Sequence, residues 1–175
     1  LSLFPFEFLL SFDYSFSLVK IKRIFRMFRI STRTKLKLIN FYPPFLGAGI
    51  WVKKISEDGR HIQVIMKMHW WNKNLFGTHF GGSLASMTDP FYVFILMMNL
   101  DKGYIVWDKS SKIEFIKPGK GTMYCDFKLS STQIEEIKQK VDLEGKYLPI
   151  LSTEIRDKEQ ALVAKVQKEL YVRKR

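Results

Sequence analysis

The chain has a single cysteine, so no internal disulfide can form. A reducing compartment fits that usage without being required by it. The expected location is cytoplasmic, with membrane association left open. Cys125 lies in "TMYCDFKL", where Met123, Cys125, Phe127 and Leu129 alternate with polar neighbours. That period of two puts the thiol on the buried face of a strand, where it packs as a small apolar group rather than reacting. Histidine is scarce too, with three in the chain. His61 and His69 fall on one expected strand with no matching cysteine, so no metal site is expected. Acidic residues are the minority charge: 17 stand against 29 lysines and arginines, a net charge of +12. Such a surplus concentrates anionic partners, whether nucleic acid, lipid headgroups or phosphorylated small molecules. No recognition motif accompanies it, so nucleic acid is not an expected partner.

Residues 1–19, "LSLFPFEFLLSFDYSFSLV", contain no lysine or arginine. They lack the positive start of a secretory signal, and Pro5, Glu7 and Asp13 make them a poor membrane span. Phe4, Phe6, Phe8 and Phe12, Tyr14, Phe16 could alternate in an edge strand. Equally, the working chain could begin nearer Met27; the extension stays unassigned. Residues 20–39 differ sharply. Lys20 to Lys37 hold eight basic residues and no acid. Ile21, Ile24, Phe25, Phe28, Leu36 and Ile39 recur at helical spacing, which predicts a basic amphipathic helix. It could pack on the domain with a solvated basic face, or rest on an anionic membrane through residues 20–37.

Residues 40–175 read as one domain, and a chain of 175 residues buries about 70% of its unfolded surface. Two prolines in "YPPF" stop any helix. "GAGIWVKKI" and "RHIQVIMKMHW" alternate around "EDG", a hairpin signal. "SLASMTDPFYVFILMMNL" is too long for a strand and reads as one buried helix. "GYIVWDKSSKIEFI", "TMYCDFKL", "YLPILSTEI" and "ALVAKVQKELYV" read as further strands. "SSTQIEEIKQKV" reads as a surface helix with Thr132 and Glu135 as capping box and Ile134, Ile137 and Val141 as apolar stripe. The sum is α+β, an antiparallel sheet around a long central helix. That helix is apolar on nearly every side, which suggests a second subunit against it.

"NKNLFGTHFGGSLASMTDPFY" leads into the helix, and it carries chemistry. Together with "YPPFLGAGI", "WWNKN", "YIVWDK" and "LYVRK", it resembles the hotdog-fold acyl-CoA thioesterases of the phenylacetate-pathway type. The nearer likeness, from about Ile39 to Arg173, is to a hotdog branch classed as a domain of unknown function. The resemblance implies a hotdog fold, an acyl-CoA substrate with coenzyme A as part of that substrate and no separate cofactor, and a homodimer or dimer of dimers. It also implies a site. The motif's Asn falls on Asn74, its Gly-Thr on Gly77 and Thr78, its paired glycines on Gly81 and Gly82, and its acid on Asp89. The motif's histidine position is Phe80, with His79 one place earlier, and a phenyl ring cannot hydrogen-bond a ligand.

The implied chemistry is hydrolysis of a thioester. Backbone N–H groups at Gly81 and Gly82 would stabilise the oxyanion, Asn74 would position carbonyl or water, and Asp89, lent by the partner subunit, would act as base or nucleophile. Each residue has a plainer reading as well. Asp89 could cap a helix restarting at Pro90, Gly81 and Gly82 could allow close helix–sheet packing, and Asn74 could be a turn residue. His79 and Phe80 are candidate ligand contacts. Trp107, with Asp108 and Ser110, could line an acyl or pantetheine channel beside Trp70 and Trp71, or the tryptophans could be core. Lys109, Lys112, Lys117 and Lys120 are candidates for coenzyme A phosphates. The alternative function is a non-catalytic acyl-CoA or lipid-binding hotdog protein. A hotdog dehydratase is disfavoured, because the glutamate it would need falls on Val93.

Overall fold

The computed structural model describes residues 32–175. The extension of residues 1–19 and most of the expected basic helix lie outside the described residues. What is described of that helix is α1, Thr32–Leu38, followed by one 3-10 turn, Ile39–Phe41. Leu36 is buried in the core. Buried Asn40 ties the segment to the sheet, its Oδ1 accepting from Val52 N at 2.7 Å and its Nδ2 donating to Val52 O at 3.3 Å.

The prolines of "YPPF" end that turn, but they also begin a helix, α2, Pro43–Ala48. A proline in the first turn gives up an N–H that would have had no partner there, so it favours helix initiation. Gly49 closes α2 at φ 75°, and a Cβ there would stand 2.5 Å from Lys67 O. Only glycine fits that left-handed position against backbone.

The sheet comprises β1 (Ile50–Ile55), β2 (His61–Met66), β3 (Tyr104–Phe115), β4 (Met123–Lys128), β5 (Lys146–Tyr147), β6 (Ile150–Arg156) and β7 (Leu162–Lys174). It is antiparallel throughout, in the order β1-β2-β4-β6-β7-β3, with short β5 also pairing on β7. Alternation builds one apolar face: Ile62, Val64 and Met66 from β2, then Met123, Cys125 and Phe127 from β4, all buried. Cys125 is in the core, as its strand phase requires. In β7 the same phase runs Ala164, Val166, Lys168, Leu170, Val172, and all five are buried. A lysine therefore stands in an apolar row.

Against this face lie two helices where the apolar run suggested one: α3, Gly81–Ser86, and α4, Phe91–Asn99. Pro90 has no N–H to continue the ladder, and the chain breaks over residues 87–90. The Asp89–Pro90 peptide is cis. The first residue of α4, Phe91, packs on Phe127 (ring centroids 5.1 Å) and Phe45 (5.9 Å). The Tyr92 hydroxyl donates to Ser152 O at 2.5 Å. Along α4 Met97 is the one exposed side chain. The chain thus covers nearly all of α4 by itself, while Gly82 and Ser86 of α3 stay exposed.

Helix α5, Ser131–Glu144, buries Ile134, Ile137 and Val141 as expected, but its capping box is Ser130 with Gln133 rather than Thr132 with Glu135. Ser130 Oγ accepts from Gln133 N at 3.1 Å, and Gln133 Oε1 accepts from Ser130 N at 2.9 Å. A cap must be extended, and Ser130 is (ψ 159°), whereas Thr132 is already helical. The tryptophans after β2 also depart from the core reading. Trp70 and Trp71 are exposed, Trp71 stacking on His69 at 4.3 Å, because the chain has by then left the sheet.

Candidate functional site

Residues 72–80 bring the chain into α3, and Asn74 shapes them. Its Oδ1 accepts from Phe76 N (2.9 Å) and Thr78 N (3.1 Å), while Nδ2 donates to Thr78 Oγ1 (2.8 Å) and His79 O (3.3 Å). Gly77, at φ 70°, makes the tight return. Every polar atom of the Asn74 amide is thus used inside the loop.

His79 then locks this loop to residues 117–122. Its backbone N–H donates to Gly119 O at 2.9 Å, and its side chain Nε2 lies 2.7 Å from Gly121 O. Nε2 bonds to a carbonyl, so it carries the hydrogen, and Nδ1 is left as a buried lone pair with no partner. Burial holds the imidazole pKa below its usual value, against the pull of the Gly121 carbonyl.

At α3 the first helical bonds run from Ser83 N and Leu84 N to Phe80 O. The N–H groups of Gly81 and Gly82 precede them and have no acceptor among the described residues. An exposed ring lies close to each glycine. A Cβ on Gly82 would stand 2.3 Å from Phe80 Cε1, and one on Gly81 would stand 3.2 Å from Phe115 Cζ. Two clefts open here. One, of about 320 Å³, is lined by His79, Gly81, Phe115, Lys117 and Gly119 among others. The other, of about 470 Å³, is lined by Trp71, Asn74, Phe80, Gly82 and Ser86 among others. Asn74, His79, Phe80, Gly81 and Gly82 are therefore brought together, and Lys120 lies between the two glycines that bond His79.

Asp89 belongs to a different group. It caps neither helix, since α4 has no side-chain cap. Its carboxylate is more than half exposed and lies 3.6 Å from Lys168 Nζ, which in turn stands 3.2 Å from Asp108 Oδ1. Lys168 is 3% exposed. Asp108 and Lys168 share the helix-facing side of the sheet. Asp108 pairs with Leu170, Ser111 pairs with Lys168, and β3 bulges between Asp108 and Ser110. Both Asp108 oxygens are buried, and neither makes a well-formed hydrogen bond. Burial first, then the neighbouring Asp89 carboxyl, push the Asp108 pKa up from 3.8 to about 7, with Lys168 opposing. The sequence reading named Asp108 but missed Lys168, although a lysine at the apolar phase of "AKVQKELYV" was the available signal.

The remaining candidates lie elsewhere. Trp107 is exposed on the opposite face from Asp108 and stacks on Tyr171 at 4.5 Å. Lys109 pairs with Glu169 at 3.2 Å, and Lys117 pairs with Asp157 at 2.6 Å. Among the described residues Lys112 and Lys120 form no ion pair. Nor is any group of three or more His, Cys, Asp or Glu placed to hold a metal among them. No described helix is long and apolar enough to cross a membrane.

The family model for the domain of unknown function DUF4442 matches residues 32–172, which hold α1 to α5 and all but the end of the sheet. The chain belongs to the DUF4442 family. This DUF4442 chain shares its fold with a Pseudomonas aeruginosa protein of unknown function described as a probable thioesterase. The TM-score is 0.74 at 17% identity, over 83% of this chain and 97% of that one. A thioesterase of Haemophilus influenzae superposes with a TM-score of 0.61 at 14% identity, over 84% and 93% of the two chains. The fold is hotdog, as the motif resemblance implied. No curated protein matches the DUF4442 chain by sequence.

Proposed function

We propose that this DUF4442 protein is an acyl-CoA thioesterase, releasing a free acid and coenzyme A. The observation that carries the reading is the pair of N–H groups on Gly81 and Gly82, unbonded and next to open clefts. Thioester hydrolysis puts negative charge on the carbonyl oxygen, and fixed donors aimed at it need no reorganisation as that charge forms. α3 is six residues long, so its dipole is small and the donors themselves do the stabilising.

Asp89 supplies the base. As water oxygen bonds to the carbonyl carbon, a water proton passes to the carboxylate. The C–S bond then breaks with its electron pair on sulfur, and that proton goes to the thiolate. A six-residue helix spans about 9 Å, which separates Asp89 from the Gly81 and Gly82 donors of its own chain. A homodimer, or a dimer of dimers, would bring the Asp89 of one subunit to the glycines of the other. Of the lysines considered for coenzyme A phosphates, Lys112 and Lys120 form no ion pair among the described residues and are the ones proposed for that contact. The reading goes with action in the cytoplasm, where residues 20–37 could also meet an anionic membrane.

The relatives described as thioesterases support the reading. One observation favours the alternative, a non-catalytic acyl-CoA or lipid-binding protein: Phe80 stands where a hydrogen-bonding side chain would hold the ligand. The deciding experiment follows thiol release from a panel of acyl-CoAs by wild type and Asp89→Ala. Turnover lost in the variant supports hydrolysis. Binding without turnover, unchanged in the variant, supports the carrier.

A further inference from the structure

The Asp89, Lys168 and Asp108 cluster brings together groups that are costly to place near one another. A lysine in the apolar row of β7 must give up hydration. Asp108 is half-buried, and its two buried oxygens make no well-formed hydrogen bond among the described residues, beside a second carboxylate. The strand bulge after Asp108 re-aims the chain at this point, a feature over-represented next to active sites. Of the three, Asp89 alone is largely open to solvent.

We propose that Asp108 and Lys168 are positioning residues for Asp89: the negative charge of Asp108 favours proton transfer to Asp89, and Lys168 is the buried counter-charge that holds both acids together. The inference rests on the hydrolase reading above and deepens it. Two adjacent carboxylates resist ionising together, because each charge disfavours the other. While Asp108 carries a proton, Asp89 receives the water proton beside a neutral neighbour. Once Asp108 ionises, its negative charge stands beside that transfer and favours it. Lys168 limits how far this repulsion goes, so the change falls near neutral pH. The groups facing Asp108 are few. Asp89 comes from the helix break and Lys168 from β7, while α4, packed on β3, carries no Asp, Glu, Lys, Arg or His. Lys109 turns outward to Glu169.

The test measures kcat and KM from pH 5.5 to 9 for the best acyl-CoA, in wild type, Asp108→Asn, Lys168→Met and Lys168→Arg. In parallel, the Asp108 carboxyl carbon is titrated by 13C NMR in wild type and Asp89→Asn. Wild-type kcat should rise through pH 7. Asp108→Asn should match wild type at pH 6 and fall to about a tenth of it at pH 8.5, with KM unchanged; a charge interaction worth one factor of ten sets that scale. Lys168→Met should move the rise upward by about one unit or more, and Lys168→Arg should restore it. Equal loss at every pH, or a rise unmoved by Asp108→Asn, overturns the inference and leaves the hydrolase standing. If wild type turns over no acyl-CoA, the hydrolase reading falls, and the titration alone judges the cluster. A midpoint near 7 that drops in Asp89→Asn supports the coupling; one that stays put overturns it.

Discussion

Gly81, Gly49 and Asp108 each allow a substitution whose outcome geometry sets in advance. Gly81 is the first residue of α3, and its N–H bonds nothing among the described residues. Proline is favoured at that position and removes only the N–H. Phe80 before it is extended (φ −66°, ψ 130°), as a residue preceding proline should be. The Phe115 ring needs to yield a few tenths of an ångström. Gly81→Pro should therefore keep the fold, by circular dichroism and thermal unfolding, while kcat drops about 10²–10³-fold if its N–H is an oxyanion donor. Gly49→Ala is the opposite case. Its Cβ would meet a backbone oxygen at a left-handed φ, a strain of about 1–3 kcal/mol with no flexible neighbour to relieve it. Chemical denaturation should register that loss.

Asp108 makes a stability prediction with a definite sign. Its pKa rises from 3.8 to about 7 on folding, so the fold prefers its protonated form. Stability tied to that preference is complete below about pH 4 and is lost as pH climbs to about 7. Asp108→Asn keeps the uncharged shape and escapes the loss. The variant's thermal midpoint should match wild type below about pH 4 and exceed it by a margin that grows as pH rises to about 7. A gap that shrinks as pH rises would contradict the assignment.

At the scale of elements, period-two alternation was plain in the sequence because each sheet strand buries one face. β1, β2, β4, β6 and β7 follow it, and Cys125 falls where its phase puts it. Helix ends were less legible. Ser130 and Thr132 are equally good caps by type, and only backbone conformation separates them. Ser130→Ala should cost about 1 kcal/mol, and Thr132→Ala a few tenths at most, by urea unfolding. The helix break was visible as Asp89-Pro90, yet its consequence was not. The cluster there depends on β3 and β7 lying side by side with a bulge at Asp108, a pairing across about 60 residues. Local sequence does not encode which strands become neighbours. The glycines and their loop were readable because they are contiguous, whereas Lys168 waits on the topology.

For the whole molecule, the question is whether one chain or two make a site. α4 is already covered within the chain, so the proposal of a partner rests on other features. β3 ends the order of the sheet, and twelve residues of its outer edge are unpaired among the described strands. A long open edge is a template for another strand, and a two-fold axis there would make the contact self-complementary. If the dimer places Asp89 of one subunit beside Gly81 of the other, two dead variants can rescue each other. Asp89→Ala retains the donor, and Gly81→Pro retains the base. Unfolding and refolding an equal mixture makes half the molecules heterodimers, each with one intact site of two, so about a quarter of wild-type activity should return for a closed two-fold dimer. Each variant refolded alone stays inactive. If base and donors come from the same chain, every heterodimer site lacks one of them, and the mixture stays as inactive as its parts.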